Sequence, residues 1–393
     1  MEQHSARDYA NSRLLNRFYT LVAFLFVSVL PNLGLAGDWA TFRADATRSG
    51  ANSEAMGHEL FLQWTYLPAH APKPAWPMPA GELPRMHNDN AYHVVAAGGT
   101  IYFGSSVTHC VHALDAAQGA LRWTFRTQGP VRFAPTISDG RVYVGSDDGY
   151  VYCLDAEKGA LQWKYRAGPS EEKVIGNGRM ISLWPVRTGT LVDEGVVYFA
   201  AGVFPYEGLY ICALRAEDGS VVWRNDVVGD RAHELEYGGL SPHGYPLLSE
   251  EVLYIPSGRS MPAAFDRQTG ELLHAISPGG KRGGTWALVD RNQLISGVDT
   301  SGTPSKAIYD GKTGKRTGDA FAWFPGIDMV VTSEFAYVLT RDGVFGINRS
   351  TYAETVQAAK QQAETKKKLQ CHLSNLQAEL DSAAEELSEL INQ

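Results

Sequence analysis

Cysteine is scarce in this chain: four in 393 residues, at Cys110, Cys153, Cys212 and Cys371. No two are adjacent, and neither C-x-x-C nor C-x-x-C-H occurs, so neither a zinc site of common spacing nor an attached c-type haem is supported. By the repeat alignment below, Cys153 and Cys212 fall on opposite faces of their strands. Buried free thiols are therefore expected rather than a bridge. Positive charge is also short, with 35 Lys and Arg against 43 Asp and Glu, a net charge of −8. A nucleic-acid binder normally shows a basic stripe, and that class is set aside. No G-x-S-x-G elbow marks a hydrolase. Long apolar runs are missing too. Residues 21–30 (LVAFLFVSVL) are uncharged but shorter than the roughly 20 residues of a spanning helix.

That short run sits between Arg7, Arg13 and Arg17 on one side and Gly34-Leu35-Ala36 on the other. A basic start, an apolar centre and small residues at the end describe a cleavable export signal over residues 1–36. The mature chain is then periplasmic or secreted, with no stable membrane insertion after cleavage.

What is abundant is glycine, 40 residues, with aromatics at 11% and apolar residues at 44%. This composition suits short strands joined by tight turns. An internal repeat carries it. GTIYFGS at 99–105 matches GRVYVGS at 140–146, GVVYFAA at 195–201 and EVLYIPS at 251–257. NQLISGV at 292–298 and EFAYVLT at 334–340 are weaker copies. The central positions Tyr102, Tyr143, Tyr198, Tyr254, Ile295 and Tyr337 are spaced by 41, 55, 56, 41 and 42 residues. Periods near forty with β-branched and aromatic runs predict an all-β propeller of four-stranded blades.

A second element follows the first copies. Ala113-x-Asp115-x3-Gly119-x3-Trp123 recurs as Cys153, Asp155, Gly159 and Trp163, and as Ala213, Arg215, Gly219 and Trp223. A fourth copy has His274 in place of Trp, and a fifth keeps Asp310 and Gly314. Asp accepts backbone hydrogen bonds in the turn, Gly supplies positive φ, and Trp wedges between blades. This pattern resembles the tryptophan-docking repeat of the pyrroloquinoline-quinone-type (quinoprotein-like) propellers. The resemblance extends over residues 39–348. Within that family the chain is similar to the outer-membrane assembly propeller.

Gln63-Trp64 is similar to Gln162-Trp163 and reads as an outermost strand supplied from the N-terminal side. The sixth copy has three inner strands and no docking strand. A closed six-blade ring and an arc of a seven- or eight-blade ring both stay open. The propeller is placed at residues 37–349. Beyond it, Leu369, Leu373, Leu376, Leu380, Ala383, Leu387 and Leu390 alternate spacings of four and three. Residues 350–393 therefore form a heptad helix, a coiled-coil-like arm whose stripe at 369–390 calls for a helical partner.

Long links at 164–186, 224–243 and 274–285, and at 202–208, 257–262 and 298–306, all fall on one face of such a propeller. Arg132, Arg187 and His243 each lie eleven residues before the blade tyrosine, where the innermost strand begins, and Arg282 is near the fifth equivalent. A basic ring there favours a small anionic ligand, with Asp147 and Asp148 placed to offset it. The link 168–189 adds Asn177 and Arg179 in a turn and Trp184 beside Arg187, an aromatic and a guanidinium suited to a sugar, a flat ligand or a peptide. Together with GPVRFAP at 129–135, this link resembles planctomycete-type propeller proteins of unassigned role. These residues are the ligand or partner candidates.

The resemblance also implies a dehydrogenase alternative. Quinoprotein alcohol dehydrogenases hold pyrroloquinoline quinone with calcium on Glu, Asn and Asp, next to an Asp base and usually a vicinal disulfide. No matching set is found in this chain, so no cofactor is expected. The leading reading is a non-catalytic, exported binding or scaffold propeller with a protein partner. A binding part of a longer enzyme, truncated at its C-terminus, is the third reading.

Overall fold

The computed structural model describes residues 37–55, 59–76, 89–230, 239–258, 260–275, 286–297, 306–319, 328–340 and 342–391. The export signal expected over residues 1–36 lies outside them. The chain divides into two units, one of residues 1–38 with 54–56 and one of 39–53 with 57–393. In the first, the Gly37 N–H donates to Glu54. All that follows belongs to the second.

That unit is built from antiparallel sheets whose strands follow chain order. The first sheet holds β1 (Val94–Ala97), β2 (Thr100–Gly104), β3 (Cys110–Asp115) and β4 (Leu121–Arg126), and the second β5 (Thr136–Ser138), β6 (Arg141–Gly145), β7 (Tyr150–Asp155) and β8 (Leu161–Arg166). A separate hairpin, β9 (Lys173–Gly176) and β10 (Arg179–Ser182), precedes the third sheet: β11 (Leu191–Asp193), β12 (Val196–Ala201), β13 (Tyr210–Arg215) and β14 (Val221–Asn225). The fourth has β15 (Leu247–Leu248), β16 (Val252–Ile255), β17 (Ala263–Asp266) and β18 (Leu272–Ala275), and the fifth β19 (Ala287–Asp290), β20 (Gln293–Ser296), β21 (Ala307–Asp310) and β22 (Arg316–Asp319). The sixth has three strands, β23 (Asp328–Val331), β24 (Phe335–Thr340) and β25 (Gly343–Asn348), and one helix, α1 (Tyr352–Ile391), ends the chain. These are the sheets of propeller blades, with the tyrosine column on the second strand of each.

The recurring turn does what its chemistry dictates. Asp155 Oδ1 accepts the N–H groups of Glu157 and Lys158, and Gly159 closes the turn at φ +68°. The third and fourth strands slip register by one bulge just before that turn in every four-stranded sheet, at Ala113/Leu114, Cys153/Leu154, Ala213/Leu214, Ala264/Phe265 and Ile308/Tyr309. A bulge adds twist and re-aims the next side chain. Each docking ring reaches the following sheet. Trp123 Nε1 donates to Ala156 O at 2.9 Å, Trp163 to Ala216 O at 3.1 Å and Trp223 to Arg267 O at 2.9 Å. His274 Nε2 meets Gly311 O at 2.7 Å in the position of the missing tryptophan. Trp64 Nε1 donates to Ala116 O at 3.0 Å, although no strand forms around it among the described residues.

The first strands gather round one peptide. Trp39 pairs with Ala96 of β1, and the carbonyls of Ala40, Thr47 and Ser49 accept from Ile137, Val289 and Val331. Ala46 O accepts from Leu248 of β15. Residues 39–49 thus bond to the inner side of five of the six sheets. Arg48 is fully buried in this segment, donating to Pro246 O, Thr41 Oγ1 and Phe42 O, and burial lowers its pKa to about 10. Arg43 holds both oxygens of Asp328 at 2.8 and 3.0 Å.

Candidate functional site

The site begins with two segments lying outside the repeat. Pro68, Pro72 and Pro74 stiffen an extended strap and remove backbone donors from it. The hairpin of β9 and β10 turns at Asn177 (φ 47°) and Gly178 (φ 73°), the left-handed pair of a two-residue hairpin turn. Asn177 Nδ2 donates to Pro74 O at 2.8 Å, tying hairpin to strap. Lys73 N–H donates to Ser106 Oγ, and Ala75 N–H to Asp89 Oδ2 at 2.8 Å.

Beneath them, Arg132 and Arg187 meet on one carboxylate. Arg132 Nε donates to Asp147 Oδ2 at 2.7 Å, and Arg187 Nε to Asp147 Oδ1 at 3.1 Å. Arg132 also donates to Asp89 Oδ2 at 2.7 Å and Lys73 O at 2.8 Å. All four charged side chains are 3% exposed or less. Burial pushes the Asp147 carboxyl up, but Arg187 and Arg132 outweigh it and hold the group below its ordinary value. Burial likewise lowers the Arg132 pKa, while Asp147 and Asp89 raise it further, for a net upward shift. Two cations face two anions, so this layer carries no net charge with which to attract an anion.

The open space lies above Arg187. Its guanidinium carbon stands 5.2 Å from the Trp76 ring centroid, a cation–π contact. A cavity of about 380 Å³ extends from there, walled by Trp76, Val174, Ile175, Ile181, Val203 and Phe204. Two buried polar atoms here have no hydrogen-bond partner among the described residues, Trp76 Nε1 and Asp89 Oδ1. Of the lining residues, Ile175 is 78% exposed and Phe204 is also open to solvent, with Tyr206 stacked on Phe204. The arrangement can hold an apolar group against the Trp76 ring and the hairpin side chains.

The candidates divide accordingly. Arg187 and Asn177 line the cavity. Arg132 and Asp147 lie in the buried layer. Asp148 is committed to its own neighbourhood, accepting from Gln128 N–H and Tyr152 O–H. Arg179 packs beside the site, against His109 Nε2 at 2.8 Å and Val107 O. His243 is buried, with Phe133 edge-on at 5.7 Å. Trp184 is not the aromatic partner of Arg187: it is 6% exposed, packs on Tyr210, and donates to Glu207 O. Trp76 takes that role. Arg282 lies outside the described residues. Asp115, Gly119, Trp123, Asp155, Gly159, Trp163, Gly219 and Trp223 are far from this chemistry, in the turns and outer strands that join successive sheets. Repeat alignment missed Trp76, Asp89 and Lys73 because they precede the first copy. The proline spacing of the strap was their one sequence signal.

Pyrroloquinoline quinone with calcium does not fit this set. Calcium takes six to eight oxygen ligands. Here both Asp147 oxygens and one of Asp89 already accept from guanidinium groups. Among the described residues no group of three or more His, Cys, Asp or Glu side chains is placed to hold a metal ion.

Comparison with known proteins bears on the fold. The model of the family described as outer membrane protein assembly factor BamB matches residues 76–183 and 180–317. Among solved structures, the chain is similar to quinohemoprotein alcohol dehydrogenase from Comamonas testosteroni, at 16% identity and a TM-score of 0.50, over 82% of this chain and 53% of that one. This chain therefore spans about half of that enzyme's length. It is also similar to BamB from Moraxella catarrhalis, at 19% identity, a TM-score of 0.42 and 66% and 70% coverage. A europium-containing methanol dehydrogenase matches at 14% identity, a TM-score of 0.47 and 71% and 57% coverage. No curated protein matches the chain.

Proposed function

The chain belongs to the family described as outer membrane protein assembly factor BamB, and we propose on that footing that it is a non-catalytic binding propeller that takes an apolar segment of a partner protein. The observation that carries this reading is the cavity above Arg187, apolar on most sides, framed by Trp76 and the hairpin of β9 and β10, with exposed Ile175 and Phe204 in its lining. Pockets of this kind derive affinity from apolar burial and orientation from a few polar groups. The neutral layer beneath disfavours a small anion as the main ligand. Residues 1–36 direct export, 37–349 form the propeller and 350–393 the helical arm. The family's description places its members' work at the outer membrane, which agrees with a periplasmic site of action. Among the described residues no helix is long and apolar enough to cross a membrane.

The test is panning of a random peptide library against the full chain. Enriched peptides should share an aromatic or branched apolar anchor and lose binding to Ile175→Asp. Enrichment that ignores Ile175→Asp and Phe204→Asp would remove the cavity from the reading. A melting shift with pyrroloquinoline quinone and calcium, accompanied by dye-linked alcohol oxidation, would replace it with the dehydrogenase.

A further inference from the structure

Helix α1 carries a leucine stripe that nothing among the described residues covers. Leu369, Leu373, Leu376, Leu380 and Leu387 are 49–72% exposed. Their spacing places Leu373, Leu380 and Leu387 at a positions and Leu369, Leu376 and Ala383 at d positions of a heptad repeat. The preceding core positions are polar or small: Ala359, Gln362 and Lys366. The apolar seam is therefore confined to the half of the helix farther along the chain from the sheets.

The residues flanking the seam select the partner. In a parallel, in-register pair each g residue faces the e residue five places on in the other helix. His372 then faces Gln377, Glu379 faces Ala384, and Glu386 faces the apolar position 391. No like charges meet in these g–e pairs, and no e position carries a charge that would demand a foreign complement. In an antiparallel pair g faces g, which sets Glu379 and Glu386 against one another. Lys366, one turn before the seam at an a position, is a residue type that fixes register and strand number in two-stranded coils.

We propose that α1 pairs with α1 of a second copy of this chain as a parallel two-stranded coiled coil over residues 369–390. Residues 352–368 act as a stalk of roughly 25 Å between each propeller and the seam, long enough for two propellers to sit side by side at one end. The proposal stands apart from the binding reading, which concerns the opposite end of the chain.

The experiment uses the full chain. Light scattering after size exclusion should give the mass of two chains at micromolar concentration, and Leu376→Lys with Leu380→Lys should give one chain while the melting of the sheets is unchanged. Cys371 is the exposed thiol of the four and sits at an outward f position, so it accepts a spin label. Parallel pairing puts the two labels level. Antiparallel pairing about the seam centre would separate them by roughly 25 Å along the axis. A monomer throughout the micromolar range, a mass of three or more chains, or the long label distance overturns the proposal. Dimers that survive both lysine substitutions overturn it as well.

Discussion

The Arg187 guanidinium carbon lies 5.2 Å from the centroid of the Trp76 ring, joining a residue of the repeat to one that precedes it. Stacked this way, Trp76 is both a wall of the cavity and the cover of a buried charge. Trp76→Ala should weaken binding of an enriched peptide tenfold or more, about 1.4 kcal/mol, in a fluorescence anisotropy titration. Trp76→Phe keeps a ring over Arg187 and should lose less. Equal losses for the two would make the indole N–H the important part.

Asp147 is the anion on which two buried cations depend. Asp147→Asn leaves Arg132 and Arg187 short of a charge and should cost about 3–5 kcal/mol in chemical denaturation at neutral pH. Because the folded carboxyl titrates below its ordinary value, its contribution is complete above about pH 4 and disappears as pH falls through the folded pKa. The wild type should therefore lose stability in acid more steeply than Asp147→Asn. Parallel acid profiles would show that the carboxylate is not the group that matters.

The docking turns allow a paired comparison. A Cβ on Gly159 would stand 2.6 Å from the Trp123 ring, whereas one on Gly140 meets nothing within 4 Å. Both glycines have similar positive φ, +68° and +70°. Gly140→Ala should cost about 1–2 kcal/mol from backbone conformation alone. Gly159→Ala should cost about 1–3 kcal/mol more from overpacking. Denaturation midpoints of the two variants measure the difference, and equal midpoints would mean the ring moves aside freely.

Thiol chemistry separates the cysteines. Cys110, Cys153 and Cys212 are buried and Cys371 is exposed. Burial pushes the Cys153 thiol up to about 11 and that of Cys212 up to about 12. A disulfide reagent at pH 8 should modify one thiol quickly in the native chain and four after denaturation, since the thiolate is the reactive form. Two fast thiols would mean that one of the sheets opens.

The sheets were legible in sequence because each is a local event, a strand pair and a turn written within about forty residues. The docking contacts were legible for the same reason, since every ring of the repeat follows its turn glycine by four residues. The arginine column was visible too, with Asp147 placed to offset it, but the second anion was not, since Asp89 belongs to no repeat at all. Only folding brings them together. The same holds for Trp76, which displaced Trp184 as the aromatic neighbour of Arg187. Residues 39–49 carry no period, and the left-handed backbone that Arg43 and Arg48 adopt there has no signature in residue types that disfavour it.

That inner segment also dictates an order of events. Arg43 is bonded to Asp328 across 285 intervening steps of chain, and Ser49 to Val331. The part of the molecule synthesised early is thus secured by strands synthesised late. Successive sheets can form as they emerge, but the bonds of Arg43 and Ser49 cannot form until the sixth is present. Contacts of such sequence separation are slow to form. Until then Trp39 and Ala40 can already bond the first two sheets, while the Arg43 guanidinium lacks its carboxylate.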